Sequence, residues 1–450
     1  RSPTSQCGAM PPKPARAPVL IAGGGPVGLY TSVLLSRFGV PSILLERQRA
    51  GIPHPRAHLI NTRSMELFRE VGLDQRVESL APPMREWREF RYCRSLLGRQ
   101  IACDDHMATP AWDVLQEASP ARLTHVSQPG LEGVLREEAA RLAPEAGSQL
   151  LFGYECAHFD VLPGGGVRVE ARRATRGGGG EGGGEGEVIE MEGSALLACD
   201  GAHSPVRRAL GLRLSGPPPL QHFKSVHFRA PSLAERLAER PAMLYFVFHP
   251  EAVAVLVAHH MGRGEWVAQL PFFPPLQDWV LVCIIMLRCL STVPPSFPLP
   301  QDGTALDVAE CGRIIEELVG EPLPDLSVCS AGAWRMSAKV AQRMSVGPVH
   351  LLGDAAHQFP PAGAFGMNTG LQDAHNIAWK LAAVHHGSAS ERLLSSYDAE
   401  RRPVAHANAR LAVHNYERGL RVAEALGLPA AAPDLAAGAL GAVSRAAPAP

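Results

Sequence analysis

Residues 18–46 constrain this chain more than any other stretch. Residues 18–22 read as a buried strand, and Gly23-Gly24-Gly25-Pro26-Val27-Gly28 as a tight turn. The turn opens a helix that runs to about Phe38, with Gly39 as its stop, and residues 42–46 form a second apolar strand ending at Glu46. Gly23, Gly25 and Gly28 fit the spacing G-x-G-x-x-G. The first glycine permits the turn, the second lets backbone approach a pyrophosphate, and the third lets helix and strand pack closely. Pro26 and Val27 lie in the amide-rich first turn on which phosphates would sit. Glu46, followed by Arg47, is placed to accept both ribose hydroxyls of an adenosine. The order strand, turn, helix, strand, acid predicts a Rossmann-like dinucleotide site on an α/β fold.

A chain of 450 residues is too long for one small core, so two packed units are expected. Helical patterns recur at 64–71 and 130–142. Residues 167–171 alternate as a strand, 188–198 read as one further strand, and the glycine-rich 177–186 between them reads as a floppy hairpin loop. From 216 to 339, β-branched and aromatic runs at 225–228, 243–248 and 252–257 predict an inserted antiparallel sheet. Residues 349–352 form another buried strand, and Leu371, Ala374, Ala378 and Leu381 mark the inner face of a helix. The expected division is a cofactor domain over 16–215, to whose partner sheet 81–125 contribute, a substrate sheet domain over 216–339, and a return to the first domain with C-terminal helices over 340–425. The tails 1–15 and 426–450 are expected to be disordered. The longest apolar run, 279–287, falls short of the roughly 20 residues a membrane helix needs. It lies in a segment, 278–303, that lacks strand alternation and ends among prolines, and that segment is expected to add nothing to the core.

With 43 basic and 44 acidic residues, the net charge of −1 carries no footprint for nucleic acid. The nine cysteines are scattered without a CxxC pair, and the 18 histidines show no metal-ligand spacing. A reducing compartment follows, cytoplasmic, or mitochondrial on the strength of a leader with Arg1, Lys13 and Arg16 and no acid. No metal is expected, and nothing here bears on oligomeric state.

Two further stretches convert a dinucleotide site into a flavin site. Cys199-Asp200-Gly201-Ala202-His203-Ser204-Pro205-Val206-Arg207 matches a DG motif. Gly353-Asp354-Ala355-Ala356-His357, through Pro360-Pro361-Ala362-Gly363 to Gly366-Met367-Asn368, matches a GD motif, and Tyr397 to Pro403 continues it. Over residues 18 to about 415 the chain resembles the FAD-dependent aromatic-ring monooxygenases, the group of phenol and para-hydroxybenzoate hydroxylases. That resemblance implies bound FAD, NAD(P)H as a transient co-substrate, O2, and hydroxylation of a small phenol-like ring between flavin domain and sheet. It also implies flavin contacts from Arg56 and Gln128, and it assigns Asp200, Gly201 and Arg207 to organising flavin and nicotinamide access. Residue chemistry agrees elsewhere. Asp354, after Gly353, can accept a ribitol hydroxyl, amides of Gly363, Gly366, Met367 and Asn368 can face the isoalloxazine edge, and Pro361 can stiffen the loop beside the reacting ring. His58 is the candidate to take or share the phenolic proton, with an ordinary imidazole pKa near ~6.5. Tyr245 and His249 are candidate substrate contacts. A structural His58 is a bland alternative. At the level of the whole chain, a halogenase or reductase on the same fold, or a non-catalytic flavin-binding regulator, are the others. A halogenase would carry Trp-x-Trp-x-Ile-Pro, and none of Trp87, Trp112, Trp266, Trp279, Trp334 or Trp379 sits in one.

Overall fold

The computed structural model describes residues 17–51, 54–174, 187–249, 253–272 and 307–425. The glycine loop 177–186, the segment 278–303 and both tails lie outside the described residues.

Val19–Ala22 is a central strand of a six-stranded sheet. Ser42–Glu46 and then Gln149–Phe152 lie parallel on one side of it, Ala195–Ala198 and then Val349–Leu351 parallel on the other. A short antiparallel strand, Ser345–Val346, closes that second edge. Every residue of Val19–Ala22 and of Ala195–Ala198 is buried, as expected for parallel strands covered on both faces. Among the covering helices are Pro26–Arg37, Gln128–Ala146 and Phe365–His385. Winding leaves Val19–Ala22 in both directions, so a crevice opens at the carboxyl ends of the strands where it reverses.

The stretch 188–198 is two strands rather than one. Val188–Gly193 pairs antiparallel with Val167–Arg173, which pairs in turn with Tyr154–Val161, in a small separate sheet. Ala195–Ala198 then enters the central sheet. Burial alternates in the first and is complete in the second, because one has a solvated face and the other has none. The chain crosses between sheets at Gly193, where a Cβ would stand 2.5 Å from the Leu20 side chain and 2.8 Å from Pro18 O.

The second sheet has seven strands in the order Ser327–Met336, Gln221–Arg229, Glu265–Phe272, Val253–His260, Leu244–Phe248, Glu89–Cys93 and Gln100–Asp105. Its pairings are antiparallel except for Leu244–Phe248 beside Glu89–Cys93, which is parallel, so the expected antiparallel sheet is mixed at this seam. One face carries Phe228, Tyr245, Leu256 and Trp266 and packs on the helix Val308–Val319 through Cys311, Ile314, Ile315 and Leu318. That spacing is the apolar stripe of an amphipathic helix. Strand alternation turns the other face, with Ser225, His227 and Gln269, toward the first sheet's crevice. Among the described residues no helix is long and apolar enough to cross a membrane, and no His/Cys/Asp/Glu group could hold a metal ion.

Candidate functional site

Four strand ends deliver the predicted turn residues to one edge of the central sheet. Gly23 has φ +105°, and a Cβ on it would lie 2.3 Å from Cys199 O. A Cβ on Gly28 would lie 1.9 Å from Gly23 O, so both positions admit glycine alone. Gly25 differs, because a Cβ there meets nothing within 4 Å. It is the N-cap of Pro26–Arg37, supplies no side chain of its own, and leaves the first-turn amides facing open space. The Glu46 carboxylate accepts from Gly24 N at 2.6 Å and from Gln48 N at 2.7 Å, keeping a lone pair on each oxygen for hydroxyl donors. Arg47 is exposed beside it.

On the other side of the switch, Asp200 accepts from Val206 N at 3.1 Å, while its Oδ1 is buried without a partner. Burial raises the Asp200 pKa. Gly201 makes the turn with φ +81°. Arg207 is buried and donates to Ala355 O at 2.9 Å and Ala202 O at 3.1 Å. Its guanidinium thus clamps the DG turn to the GD turn and does not face the crevice. Gly353, at φ +57°, donates its amide to Asp373 Oδ2 at 3.2 Å. Asp373 also takes His357 Nε2 at 2.6 Å and Arg401 Nε at 2.7 Å, all out of water. Burial opposes ionisation there, but His357 and Arg401 hold Asp373 below the usual carboxylate range. Asp354 presents an accessible carboxylate from the floor of a protein-lined recess, and desolvation raises its pKa against the pull of His357 and Arg56.

The loop that carries Arg56 is zipped onto the segment before Gln128–Ala146. Val126 N donates to His58 O and Gln128 N to Ala57 O, both at 2.8 Å, and the Gln128 amide oxygen accepts from Ala57 N at 3.4 Å. Arg56 itself stays exposed. Beyond the GD turn, Pro361 and Gly363 are exposed, and Ala364 adopts φ +55°, the sole non-glycine among the described residues with positive φ. The helix Phe365–His385 therefore starts without a side-chain cap, its first amides, around Gly366 and Met367, being available to an acceptor. Asn368 faces inward: its side chain bonds Asn61 N, Leu59 O and Ala364 O, so it can serve the recess through backbone only.

His58 stands where this recess meets the sheet, among histidines the sequence reading did not single out. His58 Nδ1 lies 3.2 Å from His125 Nδ1, and its ring is 5.2 Å from that of His259. The rings of His54 and His227 are 5.7 Å apart. Burial, reinforced by the His125 imidazole, pushes His58 down to about 3. His125 is pushed to about 4 by burial alone in the main, and His259 well below the ordinary value. His125, His227 and His259 come from three strands 102 and 32 residues apart in sequence, and no local spacing announces the group. The recurring signal was a histidine at the inward phase of an alternating strand, as in Ser225-Val-His227.

Tyr245 and His249 require correction as substrate contacts. Alternation places Tyr245 on the opposite face, fully buried against Trp266, with its hydroxyl donating to Arg240 O at 2.9 Å. His249 emerges beside Arg313, Glu316 and Glu317 of Val308–Val319, behind the sheet.

The strand-end cradle has the parts a flavin dinucleotide requires: a glycine turn open at Gly25, a carboxylate at Glu46, an unpaired Asp354 in a recess, and an uncapped helix N-terminus beyond it. The family model described as FAD binding domain matches residues 16–412. The chain belongs to that FAD-binding family. Known proteins are similar over most of this chain. A putative polyketide hydroxylase of Streptomyces halstedii is 35% identical over 407 residues, covering 89% of this chain and 66% of the relative. A 2,4-dichlorophenol 6-monooxygenase of Cupriavidus pinatubonensis is 29% identical, covering 92% and 64%. Among solved structures, the flavin-dependent monooxygenase PieE in complex with FAD and substrate superposes with a TM-score of 0.77 at 28% identity, covering 96% of this chain and 69% of that one. The chain spans about two thirds or less of the length of the first of these curated relatives. FAD is thus the cofactor of this fold, and the cradle residues fit it.

Proposed function

We propose that this chain carries an NAD(P)H- and O2-dependent FAD monooxygenase activity that hydroxylates a phenolic ring. The observation that carries the reading is an unpaired base at the seam of cradle and sheet. His125 Nε2 lies 3.1 Å from Ala258 O and must donate to it, so the neutral His125 ring has its lone pair on Nδ1. His58 Nδ1 then donates to His125, which leaves the His58 lone pair on Nε2, with no protein partner among the described residues. Relatives and structural neighbours named as hydroxylases and monooxygenases support the same reaction class.

In this reading Glu46, the amides around Gly25, Asp354 and the Gly363–Asn368 turn hold FAD, with Arg56 and Pro361 beside its reacting end. Bound FAD supplies the electron transfer and oxygen activation. The protein's own part is to orient the ring, exclude water and manage one proton. His58 Nε2 accepts the phenolic O–H as a hydrogen bond and enriches the ring. Full transfer comes as the ring is attacked and its hydroxyl becomes strongly acidic. An ordinary imidazole would add a pH inflection near 6.5. With His58 held at about 3, none is expected between pH 6 and 8.

Three outcomes test this. Asp354→Ala should weaken FAD binding about 10- to 100-fold, the worth of one charge-assisted hydrogen bond of roughly 1.5–3 kcal/mol, as read by flavin retained on dilution; undiminished retention would remove Asp354 from the cradle. Phenols should stimulate NAD(P)H oxidation by the flavin-loaded protein, with one atom of 18O2 appearing in product. His58→Ala should keep flavin reduction fast while most reducing equivalents emerge as peroxide. Failure of every phenol to stimulate oxidation, with flavin bound, would sink the proposal.

A further inference from the structure

Hydrogen bonds on the crevice-facing side of the seven-stranded sheet run in one direction. An indole N–H only donates, so Trp334 Nε1, 2.9 Å from Gln269 Oε1, fixes which end of that amide is oxygen. Gln269 Nε2 therefore donates to Ser225 Oγ at 3.2 Å. Ser225 is buried and has one proton to place, and the structure offers it His54 Nε2 at 2.9 Å. The reverse arrangement would strand a buried hydroxyl proton without an acceptor. His54 thus carries its lone pair on Nε2 and its proton on Nδ1, which donates to Ser330 Oγ at 2.7 Å. Burial, with His227 and Arg56 nearby, holds His54 at about 4 and so keeps the ring neutral. Ser330 is only half-buried and finds no acceptor for its own proton among the described residues. The chain ends there, in an outward donor.

Ser330 lies opposite His227 in register, and the His54 ring sits against that of His227. His58 lies four residues beyond His54 on the same loop, and its Nε2 is an outward acceptor. One wall of the site therefore presents an acceptor and a donor, each with its polarity set from behind. We propose that the site selects ring substrates bearing two oxygens of opposite polarity, a phenolic hydroxyl given to His58 Nε2 and a carbonyl that accepts the Ser330 hydroxyl proton. Trp334, Gln269, Ser225 and His54 are positioning residues that set the direction of Ser330. This rests on the phenol-hydroxylase reading above and names its substrate class as a hydroxylated aromatic ketone or quinone.

The test uses two phenols that differ by the carbonyl, 5-hydroxy-1-tetralone and 5,6,7,8-tetrahydro-1-naphthol, titrated into the FAD-loaded protein. The ketone should bind about 3- to 10-fold more tightly, the range of one net hydrogen bond. Ser330→Ala should bring the ratio to about one. Gln269→Glu should do the same without touching Ser330. A carboxylate accepts from both Trp334 and Ser225, so His54 must shift its proton to Nε2 and Ser330 must donate inward. Histidine 15N NMR should show His54 protonated at Nδ1 in the parent and at Nε2 in Gln269→Glu. A parent ratio of one, a ratio that survives both variants, or an unmoved His54 tautomer would each overturn the proposal. If binding shows the ketone preference yet neither phenol stimulates NAD(P)H oxidation, the hydroxylase reading fails and the selection by polarity stands.

Discussion

Lowering the pH from 7.5 to 5 should remove a large share of this protein's folding stability. His125, His259 and His350 are buried to within 3% of full burial, and each is held neutral in the folded chain. Burial brings His125 and His350 to about 4 and holds His259 well below the ordinary value, with His58, His125, His227 and His54 adding to the last. The folded pKa lies below the unfolded value of about 6.5, so between the two the unfolded chain binds more protons and stability rises with pH. The stabilisation is complete above about 6.5 and drains as the pH falls toward 4. Each such histidine withdraws about 1.4 kcal/mol per pH unit. At pH 5 His125 and His350 together withdraw about 4 kcal/mol, against a total of about 5–15 kcal/mol for an ordinary domain, and His259 acts in the same direction. Urea midpoints should therefore fall steeply from pH 6.5 to pH 5, and His350→Leu should recover about 2 kcal/mol of that fall. Constant midpoints across the range would show that these rings charge freely when folded.

Gly28→Ala should yield protein without flavin. The added methyl would stand 1.9 Å from Gly23 O, and a backbone carbonyl cannot swing away as a side-chain tip can. The helix Pro26–Arg37 must lift off the strand, displacing the amides that face a pyrophosphate, and overpacking of this kind costs about 1–3 kcal/mol or more in stability as well. FAD affinity should fall at least 100-fold, on the order of 3 kcal/mol. Gly25→Ala separates the two effects, because its methyl enters open space within the protein. It should fold with an unchanged melting temperature and still bind FAD poorly. Normal flavin content in both variants would dissociate the turn from cofactor binding.

What could be read beforehand, and what could not, divides along the length scale of the signal. Gly23, Gly25, Gly28 and Glu46 declare themselves within 24 residues, and Asp354 to Asn368 within 15, because turn geometry is a local property. The histidine group could not be read that way. His58 and His125 are 67 residues apart, and His227 and His259 join them through strand register. A register shift between Ala258 and His260 adds a bulge at His259 that no pattern in the sequence marks. Tyr245 failed for a different reason. Its alternating strand was visible, but the phase of alternation says which residues share a face and not which face meets the crevice. That choice belongs to the helix Val308–Val319, more than 60 residues away. The break inside 188–198 was readable in principle, since alternation stops at Gly193 and an unbroken apolar run begins.

The position of Val19–Ala22 also governs how the chain can be made. One neighbour, Ser42–Glu46, is synthesised at once, but the other, Ala195–Ala198, emerges some 170 residues later. At about 5–20 residues per second, roughly 10–35 s pass during which the first strand has a bare, wholly apolar edge at the ribosome. The small sheet of Tyr154–Val161, Val167–Arg173 and Val188–Gly193 lies between Val19–Ala22 and Ala195–Ala198 in the chain, and Gly193 threads the chain back against Leu20. Contacts this distant in sequence make folding slow and aggregation-exposed. Shielding of that waiting edge is then a determinant of expression yield separate from the stability of the finished molecule.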